Sequence, residues 1–504
     1  MRYTFSRYGK NLAKTTDMIS TDLGENLRKL HERFADAPDL ITTQFLMGET
    51  NRPALLVYLD GMVEKPVLHQ HILRPLLFQT FAYTDLSNLE LSLTGRKTAR
   101  AWAHAEGAIL SGRSVLFVDG EEHCLLLDTQ GGPQRSVDEP ATETVIKGAR
   151  LSFVESLGQN VSLIRRYIPH HELKIKELRV GLRSRTKVAL LYLGDVANLE
   201  LVKELEERIS RITIDGIVNV GELQELIETH WLTPFPQFMS TERPDSAASQ
   251  ILQGRIVIIV DQSPWVMVAP ITLTSFFQSV DDYSMRWMIS SFIRLLRFAG
   301  FLVSLFLPAL YIAALTFHYE IIPLNLILSI GESRERVPIP PFMEAIIMEI
   351  TLEMLREAGI RLPSKIGQTV GIVGGIVIGQ AAVSAGIVSN IMVIVVAVTA
   401  IASFIMPNTE LAAAVRILRF PMMIVAYMFG IVGIVVGMMV LIIHLLALES
   451  LGTPYGSPFA PFLASSWKDN LVRLPIWSFR NRPRSIRVQQ EVRQEKHDKS
   501  GDEK

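Results

Sequence analysis

The sequence predicts an α/β N-terminal region of two related lobes, followed by an all-α multi-span transmembrane domain and a basic C-terminal tail. Three observations carry this expectation. Charged residues make up 20% of the chain and apolar ones 48%, yet the charges gather before Arg297 and after Leu448, leaving an oily block between them. A strand, helix and hairpin pattern occurs twice in the first half. Uncharged runs long enough to cross a bilayer as helices fill the second half.

Residues 1–39 form an N-terminal extension with charges but no continuous apolar core of the signal-peptide kind, so the N-terminal region is expected in the cytosol. Lobe 1, residues 40–135, contains ALLVYLDG as a strand before the helical MVEKPVLHQHILRPLL. Lobe 2, residues 180–285, contains VALLYLGD before the amphipathic VANLELVKELEERISRI. A polar connecting segment, 136–179, joins them. Tyr58 aligns with Tyr192 at an offset of 134, and ILSGRSVLFVDG aligns with ILQGRIVIIVDQ, Gly112 on Gly254, at 142. Two independent matches at nearly equal offsets indicate a duplication. Each repeat continues into a second apolar run, HCLLLDT or PWVMVAP, across a turn-forming separator that suits a β-hairpin.

Several functions are excluded at this stage. A net charge of -1 supplies no basic surface for nucleic acid. Cys124 has no second cysteine to pair with and no Cys/His cluster for zinc, and reads as a small strand residue. His170, His171 and Glu172 lack the two-turn spacing of a zinc protease, and no glycine-rich loop ends in Lys-Ser/Thr. The Asp-Gly pairs at Asp60 and Asp119 read as turns. No catalytic residue, metal site, cofactor or enzyme is expected.

In the transmembrane domain, 286–448, the spans are read at about 298–317, 369–388, 391–406 and 420–448, with turn-forming residues separating the middle pair. Residues 321–330 are too short to cross and carry Pro323 and Asn325, which suits a re-entrant or interfacial piece. Arg286, Arg294 and Arg297 before the first span, and the Lys/Arg-rich tail 449–504 after the last, put both termini on the cytoplasmic side. Four crossings satisfy this and leave Arg416 and Arg419 on the outer side. The tail can hold anionic lipid headgroups, and beyond Arg487 it is expected to be disordered.

Two patterns stand out in this half. Gly367, Gly371, Gly375 and Gly379 recur every fourth residue, a side-chain-free stripe on one helix face, with Gln368 and Gln380 among the few polar groups nearby. The stripe suits helix packing inside one chain or packing between copies around a central pathway. The helix 341–358 carries Glu349, Glu353, Arg356 and Glu357 within about 100° of one another at 100° per residue. Such a stripe suits an interfacial helix with a solvated face, or acids lining a cation vestibule. Glu344 lies on the opposite side. Gly430, Gly433 and Gly437 read as internal packing, and His444 as a packed or hydrogen-bonded residue.

The stretches TERPDSAASQILQGRIVIIVDQSPWVMVAP, MEAIIMEITLEMLREAGIRLPSKIGQTVGIVGGIVIGQAAVSAGIVS, LRFPMM and GTPYGSPFAPF closely resemble the A-subunit family of bacterial spore germinant receptors, the GerA type. The resemblance runs from about Ala54 to Arg484. It implies a multi-pass protein of the spore inner membrane, acting with a transporter-like B subunit and a lipoprotein C subunit. It further implies a homo-oligomer that forms a nutrient-gated cation channel, with the nutrient recognised mainly by the B subunit. The competing readings are a non-conducting scaffold or ligand-sensing subunit, and a secondary transporter, which would show an inverted repeat among its spans.

Overall fold

The computed structural model describes residues 17–78, 89, 91, 95–131, 143, 148–363, 374–375, 377–463, 467 and 469–494. Contacts divide the chain into two compact units. The first holds the described residues up to Glu228, with Phe238–Pro270 and those from Asn481; the second holds Thr229–Gln237 and Ile271–Arg480.

The first unit contains two five-stranded sheets. Strands β1 (Leu40–Met47), β2 (Arg52–Leu59), β3 (Lys97–Ala99), β4 (Ser114–Val118) and β5 (Cys124–Leu127) are ordered β1-β2-β4-β5-β3. Strands β6 (Leu173–Val180), β7 (Thr186–Leu193), β8 (Met239–Thr241), β9 (Ile256–Val260) and β10 (Val266–Ala269) are ordered β6-β7-β9-β10-β8, so the two topologies are the same. All pairings are antiparallel. Helices α1 (Leu23–Arg33) and α2 (Trp102–Leu110) serve the first sheet; α3 (Leu157–Tyr167), α4 (Leu199–Ser210), α5 (Val220–Ile227) and α6 (Pro244–Leu252) serve the second.

Helices cover both faces of the first sheet. Leu30, Trp102 and Ile109 pack on Leu55, Val57 and Phe117, while Leu68, Ile72 and Leu76 pack on Leu56, Leu116 and Leu125. A strand covered on both sides has no solvent face, which is why ALLVYL is apolar without alternation. The expected helix after β2 forms at Lys65–Leu68 and Arg74–Phe78 around a wider π turn, His69–Leu73.

The duplication extends to single hydrogen bonds. The amide of Leu23 donates to Asp119 Oδ1 at 3.3 Å, and that of Leu157 to Asp261 Oδ1 at 3.1 Å. Buried Asn26 closes a loop on both backbone groups of Ser20, and buried Asn160 does the same on Val154. The equivalent residues are displaced by the same 134 and 142 positions as the sequence motifs. Gly112 and Gly254 both adopt positive φ, 83° and 93°, a conformation that side chains resist. The lobes begin earlier than the sequence reading placed them. Helix α1 lies in the extension 1–39, and α3 and most of β6 lie in the connecting segment 136–179. Their short, charge-interrupted patterns hid them.

The second unit holds helices α7 (Trp287–Thr316), α8 (Leu324–Arg334), α9 (Pro341–Arg361), α10 (Asn390–Phe404) and α11 (Thr409–Ala447), and all but α8 assemble around Tyr311, Ile312, Ala345, Met348, Met392, Val396 and Met423. Two of them, α7 and α11, are long and apolar enough to cross a membrane by length and composition. Helix α7 begins at Trp287 rather than 298, because Arg294 and Arg297 are turned inward onto Asp282. Of 391–406, the residues up to Phe404 fall on α10, and α8 covers most of 321–330 with Pro323 at its N-cap. Of 369–388, the residues 374–375 and 377–384 are described and helical.

Two expectations change here. The sequence reading makes 420–448 one tilted span, but α11 is broken at Gly430, where φ is 61° and ψ is -142°. A Cβ on Gly437 would lie 2.7 Å from Met422 Sδ, and one on Gly433 would meet the Val425 carbonyl. A straight helix would hold Met422 and Gly437 about 22 Å apart, so α11 is a hairpin of two arms, 409–429 and 431–447. The sequence reading also keeps 341–358 out of the bundle. In the structure α9 lies within it and runs opposite to α7: Glu344 reaches Ser389 near Tyr311, Glu349 meets Arg419 beside Ser304, and Arg356 reaches Ser403, next to Ala402 on Gly300.

The described tail is packed rather than disordered. Tyr455 and Arg473 are buried in the second unit, and Ile486 and Val488 in the first, where the amide of Gln489 donates to the Val196 carbonyl at 2.9 Å. Alternating charges beyond Arg487 concealed the buried apolar side chain, Val488, that anchors it.

Candidate functional site

The site is the charged seam between α9 and the first arm of α11. Helix α9 starts with Pro341 at its first position, which presets φ, and its apolar positions Ala345 and Met348 fix which face enters the core. That choice carries Glu349 inward, where its carboxylate pairs with Arg419. Arg419 also donates through Nε to the Ser304 carbonyl at 2.8 Å and through a terminal nitrogen to Ser304 Oγ at 2.9 Å. One turn on, Glu353 accepts from Arg416 and from Arg356, each at 3.1 Å. Arg356 continues to Ser403 Oγ at 3.3 Å and lies 5.1 Å from the centre of the Phe404 ring. Glu357 pairs with Arg361 at 2.6 Å on an exposed edge.

Glu344 forms a second buried centre. Arg334 of α8 stands 2.6 Å from its Oε1, and Ser389, the N-cap of α10, donates to Oε2 through both its amide and its hydroxyl at 3.0 Å. One carboxylate therefore ties three helices together. An isolated charge in such apolar surroundings is costly; here the opposite charge of Arg334 and the two hydrogen bonds from Ser389 offset the cost.

Of the glycine stripe, Gly367, Gln368 and Gly371 lie outside the described residues. Gly375 is exposed, and a Cβ added there would meet nothing within 4 Å. Gly379 is buried, with Val393 Cγ1 3.8 Å from its Cβ position, and Gln380 is exposed. His444 hydrogen-bonds Thr233 Oγ1 at 2.8 Å and sits beside the Phe235 ring.

Sequence reasoning picked out the acids but missed their partners. Arg416 and Arg419, three apart, lie on one helix face and match the four-residue spacing of Glu349 and Glu353. That complementarity was the available signal.

The first unit has its own ionic junction between lobes. Arg165 of α3 holds Asp39 with two hydrogen bonds, 2.8 and 2.9 Å. Glu106 of α2 receives Arg33 and His171, each at 2.6 Å. Burial pushes the Glu106 carboxyl up, but the hydrogen bonds and charges of His171 and Arg33 outweigh it and hold the group below its ordinary range. Hydrogen bonding to Glu106 raises His171. Burial pushes the Cys124 thiol up to about 12, which leaves it a non-nucleophilic strand residue.

A sequence profile described as "Bacillus/Clostridium GerA spore germination protein" matches residues 28–485. The chain is 40% identical over 485 residues to spore germination protein KA of Bacillus subtilis (strain 168), covering 95% of this chain and 89% of that one. It is 41% identical to the uncharacterized membrane protein YfkQ of the same organism, over 92% of this chain and 91% of that one. Among solved structures, the N-terminal domain of the A subunit of the Bacillus megaterium spore germinant receptor GerK3 matches at 28% identity with a TM-score of 0.39, covering 51% of this chain and 98% of that one.

Proposed function

This chain belongs to the Bacillus/Clostridium GerA spore germination protein family, and on that premise we propose that it is the A subunit of a nutrient-responsive germinant receptor in the spore inner membrane. The observation that carries this reading is the near full-length match, which takes in both units. A transporter-like B subunit and a lipoprotein C subunit are its partners, and lipid surrounds the helical unit.

In this reading α7, α9, the helix ending at 384, α10 and the two arms of α11 cross in alternating directions. Six passes, like the four expected from sequence, return both ends of the helical unit to one side, taken as the spore core side. The two ends meet in the structure: Arg294 of α7 bonds both the carboxylate and the carbonyl of Asp469 at 2.8 Å. Wide exposure of Ile424, Phe429, Val436 and Ile443 on α11 suits lipid, since a monomer in water rarely leaves a patch so large uncovered.

We further propose that copies of the chain assemble around a cation pathway, with the Gly375 face at the contact. What supports this is that Gly375 is exposed with open space beside it, so the stripe is not used up by packing within the chain at that position. The seam of Glu349, Glu353, Arg416 and Arg419 then holds α9 closed against α11, and its opening would release charge toward the pathway. Purified chain reconstituted in liposomes, alone and with its B and C subunits and nutrient, tests this by cation flux. Flux that appears only with partners and nutrient supports the channel. Absence of flux in every combination removes it and leaves the non-conducting scaffold or ligand-sensing subunit.

A further inference from the structure

Trp231 and Leu232 are 75% and 78% exposed, among the largest apolar surfaces the chain presents. Water around such side chains costs roughly 25 cal/mol per Å² of apolar area, so their exposure needs an explanation. Trp477, Phe462, Phe292 and Trp287 are exposed as well. These residues come from three separate segments of the second unit that the hydrogen bonds bring to one end of its helices. Thr233 bonds His444, near the end of the second arm of α11. Ser291, in the first turns of α7, donates to the Arg473 carbonyl at 2.8 Å. The Gln278 side chain donates to the Asp469 carbonyl at 2.6 Å.

The charges at this end are arranged in the opposite sense to those of a water-facing surface. Arg294 and Arg473 are buried, with Arg294 paired to Asp282 and Asp469 and Arg473 lying over the Tyr283 ring. The first three turns of α7 therefore hide their arginines and display Trp287, Met288 and Phe292. Arg286 and Arg480 remain exposed at the margin. Aromatic side chains with a fringe of exposed arginine match the boundary between bilayer and water, where rings sit at headgroup level and cations meet phosphate.

We propose that residues 229–237, 287–297, 456–463 and 469–480 form a collar seated in the headgroup layer of a phospholipid leaflet, the one through which α7 and the second arm of α11 pass. The proposal rests on the membrane reading above. It moves the water boundary outward from Phe298 to Arg286, and it makes the segment after α11 a lipid-bound shelf instead of a free basic tail.

The test uses the full chain with Cys124→Ser, which removes the single native thiol. Trp231→Cys, Phe462→Cys and Trp477→Cys each receive a spin label, and the protein is reconstituted in phosphatidylcholine and phosphatidylglycerol liposomes. Collision with oxygen reports lipid and collision with a nickel chelate reports water. Val440→Cys on α11 and Leu182→Cys in the β6 to β7 loop are the lipid and water references; both side chains are exposed. The expected result is an oxygen-to-nickel ratio at all three sites between those of the two references. Three sites as open to nickel as Leu182, with Val440 still in lipid, would overturn the collar and leave the membrane reading standing. Sites shielded from both reagents would overturn it in favour of a protein cover. Nickel access at Val440 itself would remove the membrane reading and the collar with it.

Discussion

Glu349 of α9 and Arg419 of α11 form an ion pair inside the helical unit, with side chains 3% and 2% exposed. Each neutralises the other, and the other two nitrogens of Arg419 each donate to Ser304. Glu349→Ala or Arg419→Ala therefore strands a buried charge and should cost about 3–5 kcal/mol. The apolar double variant Glu349→Leu with Arg419→Met should recover most of that loss. Thermal unfolding in mild detergent measures all three. A double variant as unstable as the two single losses added together would show that the residues are not coupled.

The α11 hairpin can be checked by distance. Met422→Cys with Gly437→Cys, in the Cys124→Ser background, should form a disulfide or accept a short bifunctional reagent, because the two positions touch across the arms. A single straight span would separate them by about 22 Å, beyond such reagents. Gly430→Ala should destabilise the turn by roughly 1–3 kcal/mol, because φ 61° with ψ -142° is a backbone conformation that side chains resist. His318 Nε2, 2.9 Å from where the new Cβ would stand, adds to that loss.

How much of this was legible beforehand depended on whether a pattern was local. The twin Ile-Leu-x-Gly-Arg motifs and the β-hairpins that follow them are short-range signals, and they reported the duplicated sheets correctly. Helices α1 and α3 are brief, and β3 and β8 span three residues each, too short for any period to register. In the helical unit hydropathy marked apolar helices but could not reveal a reversal inside one, since FGIVGIVVG is uniformly oily and only the conformation of Gly430 turns the chain. Charge was misread for a physical reason. In sequence Arg294 and Arg473 look like cytoplasmic-side cations and Arg419 like an outer-side one, whereas in space Asp282 and Asp469 pair with Arg294, Glu349 pairs with Arg419, and Arg473 lies over the Tyr283 ring.

The junction between the lobes should depend on pH. His171 is raised above its ordinary 6.5 by its bond to Glu106, so its contribution is complete below 6.5 and fades as pH rises through the raised value. Glu106 is held below its ordinary 4.5, so its contribution is present above 4.5 and is lost as pH falls through the lowered value. The junction is therefore tightest between those two ordinary values. Hydrogen exchange in α3 and β6, corrected for intrinsic rates, should be slower at pH 6 than at pH 8, and His171→Gln should abolish the difference. Equal protection at both pH values in the unsubstituted chain would rule out this coupling.

Gly375 and Gly433 separate the proposed contacts between copies from contacts within one chain. At Gly433 a Cβ would meet the Val425 carbonyl, so Gly433→Leu should disrupt the hairpin and lower the unfolding temperature of the chain itself. At Gly375 a Cβ meets nothing within 4 Å. Gly375→Leu should therefore leave the fold intact, and replacing a helical glycine should favour it by a few tenths to about 1 kcal/mol. A bulky side chain would nonetheless hold a neighbouring helix away from a face that close packing in lipid requires to be smooth. The expected outcome is an unchanged or slightly raised unfolding temperature together with a smaller assembly, read by light scattering of the detergent-solubilised protein. If Gly375→Leu assembles like the unsubstituted chain, copies do not meet on this face and the proposed pathway between them loses its support.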